Sequence, residues 1–333
     1  MAGRHRRPAS PDYRNRPHGA DGADGSTSAT PTTVGGYDHS APRSGIVVPQ
    51  NMAALLRSVL FVPGTRRDRF AKALASGADG VILDLEDSVD PARKAEARET
   101  VAAFLSTPPD TSSLVFVRVN APGSPWIEDD VACVRGLSGM HGVVMPKVES
   151  PGAIEAVARR VPSGRVVPLL ETARGILHAA AIAAADADVP ALLFGAEDLT
   201  AELGIARTVD GEELVHARAQ VVLAAAATGA EPLDAVFTSL ADLDGLRADA
   251  RRARAVGFRG KMAIHPDQVP VINEVFTPSA EDIDRARRLV AEFEAAHAEG
   301  VIRVNDQMIE APVVARAKRI LALADAIARR TRP

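Results

Sequence analysis

The 333-residue sequence contains one cysteine, Cys133, and this scarcity excludes an internal disulfide framework. A single thiol is typical of the reducing cytoplasm, which is the location we expect. Aromatic side chains make up only 4% of the residues, so alanine, valine and leucine must fill the core. No apolar run reaches the roughly 18–20 residues that a membrane span needs. The net charge of −4 gives no overall field that would attract nucleic acid or an anionic membrane.

The first 50 residues differ in composition from the rest of the chain. They are rich in Gly, Pro, Ser, Thr, Arg and Asp and have almost no apolar periodicity, so they cannot bury enough surface to offset the entropy of ordering. Arg4, Arg6 and Arg7 lie near the start, but no apolar stretch of a secretory signal follows them. We therefore expect a disordered tail over residues 1–50.

From Arg57 onward, compact apolar runs alternate with longer helical patterns. Continuous apolar runs are typical of parallel strands whose outer face is covered by helices. Roughly eight such units over about 220 residues predict a TIM (β/α)8 barrel at residues 55–276. An open doubly wound sheet is the alternative, but the loop Pro63–Arg66 lacks its glycine-rich phosphate-binding pattern. The predicted strands are Ser58–Pro63, Gly80–Leu85, Leu114–Val119, Gly142–Pro146, Val166–Leu170, Ala191–Gly195, Ala235–Thr238 and Lys261–Ile264.

Helical patterns lie between these strands and continue after the last one. Residues 277–333 are too short for a domain of their own, and we expect a C-terminal helical extension that forms a lid or reaches a neighbouring subunit. Its predicted helices are Ala280–Ala298 and Val313 to about Arg329. Within the barrel, the predicted helices are Arg66–Ser76, Pro91–Leu105, Trp126–Leu137, Pro151–Arg160, Thr172–Ala185, Gly211–Thr228, Leu243–Val256 and Asp267–Val275.

Two carboxylates at neighbouring strand ends predict a metal site. Catalytic residues of TIM barrels lie at the C-terminal ends of the strands, where Glu171 and Asp198 follow two consecutive predicted strands. Because no Cys or His cluster accompanies them, they favour a hard cation such as Mg²⁺, with waters and substrate oxygens completing its octahedron. The alternative is that one or both cap the following helix or pair with a nearby Arg or Lys.

Three basic residues at other strand ends are further candidates. Arg118 could hold a substrate carboxylate with two hydrogen bonds, or it could pair with Glu86 or Asp87. Lys147 could be a Schiff-base lysine as in class I aldolases, although a nearby metal would already supply the electron sink. His265 could act as a base, but a hydrogen-bonded structural role is the simpler interpretation.

Eight short motifs are spread along the chain in a fixed order: Arg57–Gly64, Asp84–Val89, Val117–Asn120, Met145–Glu149, Glu171–Gly175, Phe194–Leu199, Lys261–Pro266 and Met308–Pro312. Each motif alone is modest, but their order and spacing together are highly specific. The chain resembles the citrate lyase β-subunit-like branch of the HpcH/HpaI aldolase superfamily from about Arg57 to Leu323.

The resemblance implies a TIM barrel, magnesium and a homo-oligomer, commonly a trimer or hexamer. It also implies that a carbon–carbon bond is cleaved or formed next to a thioester, with CoA or acyl-carrier-protein substrates. By motif match, Glu171 and Asp198 take the metal-ligand positions, and Arg118 takes the position that contacts the substrate carboxylate and carbonyl. Basic residues of the first βα unit approach CoA in CoA-using members, and Arg57 and Lys72 are the candidates here.

One residue of the C-terminal motif departs from the family pattern. CoA-ester lyases of the family usually carry Met-Ile-Asp, whose aspartate acts as general acid/base, typically in the active site of a neighbouring subunit. This sequence has Glu310, which can perform the same proton chemistry with one more methylene. Misplacement of a catalytic group by about 1 Å can lower a rate by about 10²-fold. The presence of the segment still indicates a stand-alone CoA lyase.

The expected substrate is a β-hydroxyacyl-CoA such as malyl-, methylmalyl- or citramalyl-CoA, which would yield a 2-oxo acid and an acyl-CoA. Mg²⁺ on Glu171 and Asp198, together with Arg118, would bind the substrate oxygens, and Glu310 would protonate the acyl-CoA enolate. One alternative is a CoA-independent 4-hydroxy-2-oxo acid aldolase. Others are a citrate lyase β-type subunit acting on an acyl-carrier-protein thioester, and a degenerate scaffold that only binds acyl-CoA.

Overall fold

The computed structural model describes residues 55–296, 302–304 and 307–331. The predicted tail at 1–50 lies outside the described residues. Within them, eight parallel strands form a closed barrel in chain order, which confirms the predicted TIM (β/α)8 fold. The strands are β1 Ser58–Pro63, β2 Gly80–Asp84, β3 Leu114–Arg118, β4 Gly142–Met145, β5 Val166–Leu170, β6 Ala191–Phe194, β7 Glu231–Asp234 and β8 Gly260–Ala263.

Helices follow the strands and cover the outside of the barrel. They are α1 Arg67–Leu74, α2 Lys94–Leu105, α3 Ile127–Val134, α4 Pro151–Ala158, α5 Ala173–Leu177, α6 Ala179–Ala183, α7 Ala196–Leu203, α8 Val215–Thr228, α9 Leu243–Val256 and α10 Gln268–Phe276. The predicted C-terminal helices are also present: α11 Ala280–Ala295 and α12 Ala311–Thr331 are joined through the antiparallel strands β9 Ile302–Val304 and β10 Gln307–Ile309.

The two sides of the barrel wall carry separate hydrophobic clusters, because successive strand residues point to opposite faces. One cluster fills the barrel interior and includes Val59, Ile82, Phe116 and Leu169. The larger cluster packs the outer strand faces against the helices. Alternate residues of a strand point to the same side. Asp84, Arg118 and Glu171 each lie two positions after an interior residue and therefore also point inward. These side chains reach the C-terminal end of the barrel, which we call the mouth.

The seventh strand was predicted at the wrong position. It is Glu231–Asp234 and not the more apolar Ala235–Thr238. The reason is that its outer face is polar: Asp234 is fully buried and lies 2.6 Å from Nζ of Lys261 and 2.9 Å from Nε of Arg218. Charged residues stand at both ends of Glu231–Asp234, so no continuous apolar run marks this strand in the sequence.

The segment after β6 also differs from the prediction. Helix α7 follows β6 directly, although no helix was expected between β6 and residue 211. It begins after Gly195 and ends at Gly204, which has a left-handed φ of 67°. Because Asp198 lies in the first turn of α7, this helix fixes the position of a predicted metal ligand. The predicted helix Thr172–Ala185 is divided into the two short helices α5 and α6.

The last helix lies at the end of the barrel opposite the mouth. Near its C-terminus, Nη1 of Arg330 is 3.5 Å from Oδ1 of Asp79, which immediately precedes β2. Burial raises the pKa of Glu231, the first residue of β7, and the charge of Arg319 is close enough to oppose that shift. Helix α12 therefore crosses the N-terminal face of the barrel. In the part of the chain that the structure covers, no helix has the length and apolar character needed to cross a membrane.

Candidate active site

Glu171 stands directly after β5 and points into the mouth. Its side chain is buried, and Oε1 accepts a hydrogen bond of 3.0 Å from the backbone N–H of Lys147. Burial, and then the negative charges of Asp198 and Glu86, raise the pKa of Glu171 to about 8. A divalent cation bound here would supply the positive charge that favours the ionised carboxylate.

Asp198 reaches the same place from the first turn of α7. Its side chain is 38% exposed, and Oδ1 lies 3.4 Å from Nζ of Lys147. The backbone of Lys147 thus contacts Glu171 while its ammonium contacts Asp198. The structure therefore brings together the two residues that the sequence predicts as metal ligands.

Arg118, at the end of β3, lies at the same mouth and is held by two carboxylates. Its Nε and Nη2 donate to the two oxygens of Asp84 at 2.6 Å each, and Nη1 lies 2.8 Å from Oε2 of Glu86. The guanidinium also stacks over Phe61, 4.8 Å from the ring centroid. Parallel register places Asp84 beside Arg118, and the hydroxyl of Ser88 donates to the same aspartate. The alternative pairing with Glu86 is present, whereas the bidentate pair with Asp84 was not predicted.

Lys147 has an ammonium surrounded by carboxylates. Nζ lies 3.2 Å from Oε1 of Glu86, 3.4 Å from Oδ1 of Asp198 and 4.0 Å from Oδ1 of Asp87. Burial opposes the charge, but these carboxylates raise the pKa of Lys147 above its ordinary value. A Schiff-base lysine must attack as a neutral amine, so this environment disfavours that alternative.

Arg57, a predicted CoA contact, lies away from the other candidate residues. Arg57 immediately precedes β1 and so lies at the N-terminal end of the barrel, away from the mouth. Its guanidinium is buried, donates twice to Asp79 at 2.9 Å and contacts the hydroxyl of Thr277. The two ends of the first motif lie at opposite ends of β1, so a match to the whole motif does not place Arg57 at the mouth.

Two other basic residues of the first βα unit remain accessible. Arg66 follows the C-terminal end of β1, where it pairs with Asp68 at 2.8 Å on the exposed rim. Lys72 is exposed in the last turn of α1. Arg66 was missed as a candidate, although its position after a strand in the Pro63–Arg66 loop was a usable signal.

His265 and Glu310 do not join the carboxylate site. Nδ1 of His265 lies 3.5 Å from Oδ2 of Asp267 at the exposed end of β8, in keeping with a structural role. Glu310 is exposed between β10 and α12. Across the described ranges, its carboxylate has no hydrogen-bond or ion-pair partner, and α12 leads away from it across the N-terminal face.

The donor set matches magnesium. Among residues 55–296, 302–304 and 307–331, no cluster of three or more His, Cys, Asp and Glu side chains is arranged to hold a metal. Mg²⁺ does not need such a cage, because it keeps several waters and is commonly held by one or two carboxylates plus substrate oxygens. Gly195 leaves room beside Glu171, since a Cβ there would lie 2.7 Å from Oε2. The residues present therefore fit a Mg²⁺ ion.

Several known proteins are similar to this chain in sequence or fold. A "Citrate lyase subunit beta-like protein" of Deinococcus radiodurans is 41% identical over 281 residues, covering 80% of this chain and 97% of that protein. A "(3S)-malyl-CoA thioesterase" of Cereibacter sphaeroides is 38% identical, covering 82% and 95%. The crystal structure of CitE from Mycobacterium tuberculosis with magnesium, acetoacetate and coenzyme A is 39% identical, with a TM-score of 0.71 and coverage of 82% and 100%.

The HpcH/HpaI aldolase/citrate lyase family model matches residues 57–266. This match contains the whole barrel mouth, including Glu171, Asp198 and Arg118. Together with the relatives, it confirms the predicted resemblance and the predicted lyase class of enzyme. The chain belongs to the HpcH/HpaI aldolase/citrate lyase family.

Proposed function

We propose that the chain is a magnesium-dependent carbon–carbon lyase that cleaves or forms a β-hydroxyacyl-CoA such as malyl-, methylmalyl- or citramalyl-CoA. The products of cleavage would be a 2-oxo acid and a shorter acyl-CoA. The observation that carries the proposal is the convergence of Glu171 and Asp198 on Lys147 at one barrel mouth, with Arg118 joined to Lys147 through Glu86. The M. tuberculosis relative binds magnesium, acetoacetate and coenzyme A, which supports the same combination here.

Glu171 and Asp198 would hold the metal. When bound, Mg²⁺ supplies a Lewis acid that polarises the oxygens of an oxo or hydroxy acid. Glu171 is fixed for this task by the Lys147 amide and by the close approach of Gly195. Asp198 is more exposed and can turn toward an incoming ligand.

Arg118 would orient the substrate carboxylate and stabilise negative charge on the substrate oxygens. Asp84 and Glu86 engage three of the five N–H groups that an arginine offers, which leaves donors for the substrate. Because both partners are buried, the guanidinium plane is set before the substrate arrives. Such preorganised positive charge is the main means of stabilising an enolate.

Glu310 would supply the proton from a neighbouring subunit. Helix α12 passes Glu231 near Arg319, and Glu310 lies nine residues earlier, about 13 Å further along the helix axis. The residue therefore projects beyond the N-terminal face of its own barrel. We assign it to the mouth of a second copy in a homotrimer or homohexamer, where it would act as general acid/base.

The CoA moiety would lie along the first βα unit. Lys72 stays a candidate for its phosphates, and Arg66 replaces Arg57 because it stands at the mouth. Both side chains are accessible, so a diphosphate or ribose phosphate could pair with either. A CoA-independent aldolase would not need these contacts.

A panel of thioesters tests the proposal. The full-length protein is incubated with Mg²⁺ and malyl-, β-methylmalyl-, citramalyl- or citryl-CoA, and 2-oxo acid release is measured, with E171Q as the inactive control. We expect at least one ester to release 2-oxo acid only when Mg²⁺ is present. Release from a free 4-hydroxy-2-oxo acid alone, or only from an acyl-carrier-protein thioester, would overturn the CoA-ester assignment.

A second candidate is a thioesterase, because the C. sphaeroides relative is named for hydrolysis of (3S)-malyl-CoA. The two reactions differ in their products. Hydrolysis frees the CoA thiol and leaves the carbon chain whole, whereas the lyase frees a 2-oxo acid and retains the thioester. Measuring free thiol beside 2-oxo acid in the same reaction separates them.

A further inference from the structure

Lys147 is tied to both candidate metal ligands through different atoms. Its backbone N–H donates to Oε1 of Glu171 at 3.0 Å, and its ammonium lies 3.4 Å from Oδ1 of Asp198. Its φ is 52°, and no other non-glycine residue in the part of the chain described has a positive φ. A left-handed lysine is uncommon, and such strained backbone is retained where the surroundings hold it and often at functional sites.

The left-handed turn directs the Lys147 side chain into the carboxylate cluster. Besides Asp198, its ammonium contacts Glu86 at 3.2 Å and approaches Asp87 at 4.0 Å. The Lys147 side chain is 35% exposed, so its charge is partly screened but not free in solvent. The ammonium therefore has two further acidic partners, on the loop after β2, besides the metal ligand.

We infer that Lys147 is a built-in competitor for the divalent cation: its ammonium pairs with Asp198 and must move toward Glu86 and Asp87 when Mg²⁺ takes the Asp198 oxygen. The inference deepens the proposed function and rests on it. The ammonium and Mg²⁺ would both bind the same oxygen of Asp198, and two cations beside one oxygen repel each other. Rotation about the lysine stem allows the exchange without movement of the barrel.

The consequence is a metal affinity lower than the two carboxylates alone would give. Removing the positive charge at position 147 should strengthen Mg²⁺ binding. A purely structural lysine would behave in the opposite way, because its loss would disorder the ligands and weaken binding. The direction of the change therefore distinguishes the two roles.

Titration calorimetry of the full chain with MgCl₂ tests this at constant ionic strength. We expect K147M to bind Mg²⁺ about tenfold more tightly than the wild type, and K147R to stay within about twofold of it. K318M is the matched control, because it removes one lysine charge from an exposed pair with Glu294 on the C-terminal helices and should leave the affinity unchanged.

K147N controls for backbone strain at position 147, where φ is positive, since asparagine tolerates the left-handed region. It should bind Mg²⁺ more tightly, as K147M does. Equal or weaker binding by both variants, in folded protein with a wild type that binds Mg²⁺, would overturn the inference and leave the proposed metal site standing. A folded wild type that binds no Mg²⁺ would instead remove the metal site itself, and the inference with it.

Discussion

A Cβ atom on Gly195 would lie 2.7 Å from Oε2 of Glu171 and closer still to its Cβ. The two residues face each other because β5 and β6 pair in register as far as Leu170 and Phe194, and each of the two is the next residue of its strand. The carboxylate thus occupies space that any other residue at position 195 would fill. The absence of a side chain at Gly195 therefore allows the Glu171 carboxylate to lie at this position.

The first prediction follows from this contact. G195A should push the Glu171 carboxylate aside by an ångström or so, and displacement of that size can lower a rate by about 10²-fold. We expect kcat and Mg²⁺ affinity to fall together, measured by 2-oxo acid release and calorimetry. The control is G152A, because a Cβ on Gly152 in the first turn of α4 meets nothing within 4 Å. Equal activity of G195A and G152A would contradict the assigned role of Glu171.

The second prediction concerns the geometry of Arg118. R118K keeps the positive charge but cannot make two parallel hydrogen bonds to Asp84 while also contacting Glu86. Losing this orientation should lower kcat/KM by about 10²-fold or more, with the larger part in kcat. R160K is the matched control, because Arg160 makes a similar but exposed pair with Glu128. An R118K enzyme with wild-type kcat would show that the bidentate arrangement is not needed.

The third prediction tests whether Glu310 acts in a neighbouring subunit. E310Q and E171Q should each be nearly inactive, because one lacks the proton donor and the other a metal ligand. Co-expression should restore activity in mixed oligomers, since some mouths then combine an intact Glu171 with an intact Glu310. Random assembly predicts that about a quarter of the mouths are complete. Mixed oligomers as inactive as either variant alone would show that Glu310 does not act in the mouth of a neighbouring subunit. An E310Q variant that is active by itself would place Glu310 outside the reaction.

The barrel could be predicted because it depends on a repeated and local signal. Seven of the eight strands lie near the predicted positions, and four helices are bounded by Pro or Gly: α4 begins at Pro151, and α7, α8 and α9 end at Gly204, Gly229 and Gly257. The proximity of the two candidate metal ligands followed from the same logic, because chain position at consecutive strand ends becomes proximity in space. Strand order alone predicts that Glu171 and Asp198 lie near each other, whereas the helix α7 that carries Asp198 was not predicted.

Other features depend on which end of a strand a residue occupies or on what packs behind it. Arg57 and Arg66 are only nine positions apart in the sequence, yet they lie at opposite ends of β1. Gly195 carries no chemical group that would mark it in a sequence. The seventh strand was missed because charged residues stand at both of its ends and leave no continuous apolar run.

This buried charge cluster behind β7 and β8 leads to the last prediction. Arg218 and Lys261 face Asp234 and Asp249 across the strand–helix interface, and all four side chains are buried. Two positive and two negative charges balance each other there. Removing one partner leaves an uncompensated buried charge, which typically destabilises a protein by about 3–5 kcal/mol.

D249N should therefore lower the free energy of unfolding by about 3–5 kcal/mol at neutral pH. Burial alone would raise the pKa of Asp249, but Lys261 and then Arg218 lower it below its ordinary value. A lowered folded-state pKa stabilises the fold above the unfolded value of about 3.9, and this stabilisation is lost as the pH falls toward the folded value. The difference in unfolding free energy between wild type and D249N, measured by urea unfolding, should thus be constant from pH 7 to 5 and become smaller below about pH 4.

D188N is the control, since its exposed pair with Arg165 should contribute less than about 1 kcal/mol. If D249N lowered the free energy of unfolding by as little as D188N does, the cluster would not stabilise the barrel, and β7 would be held by its backbone pairing alone.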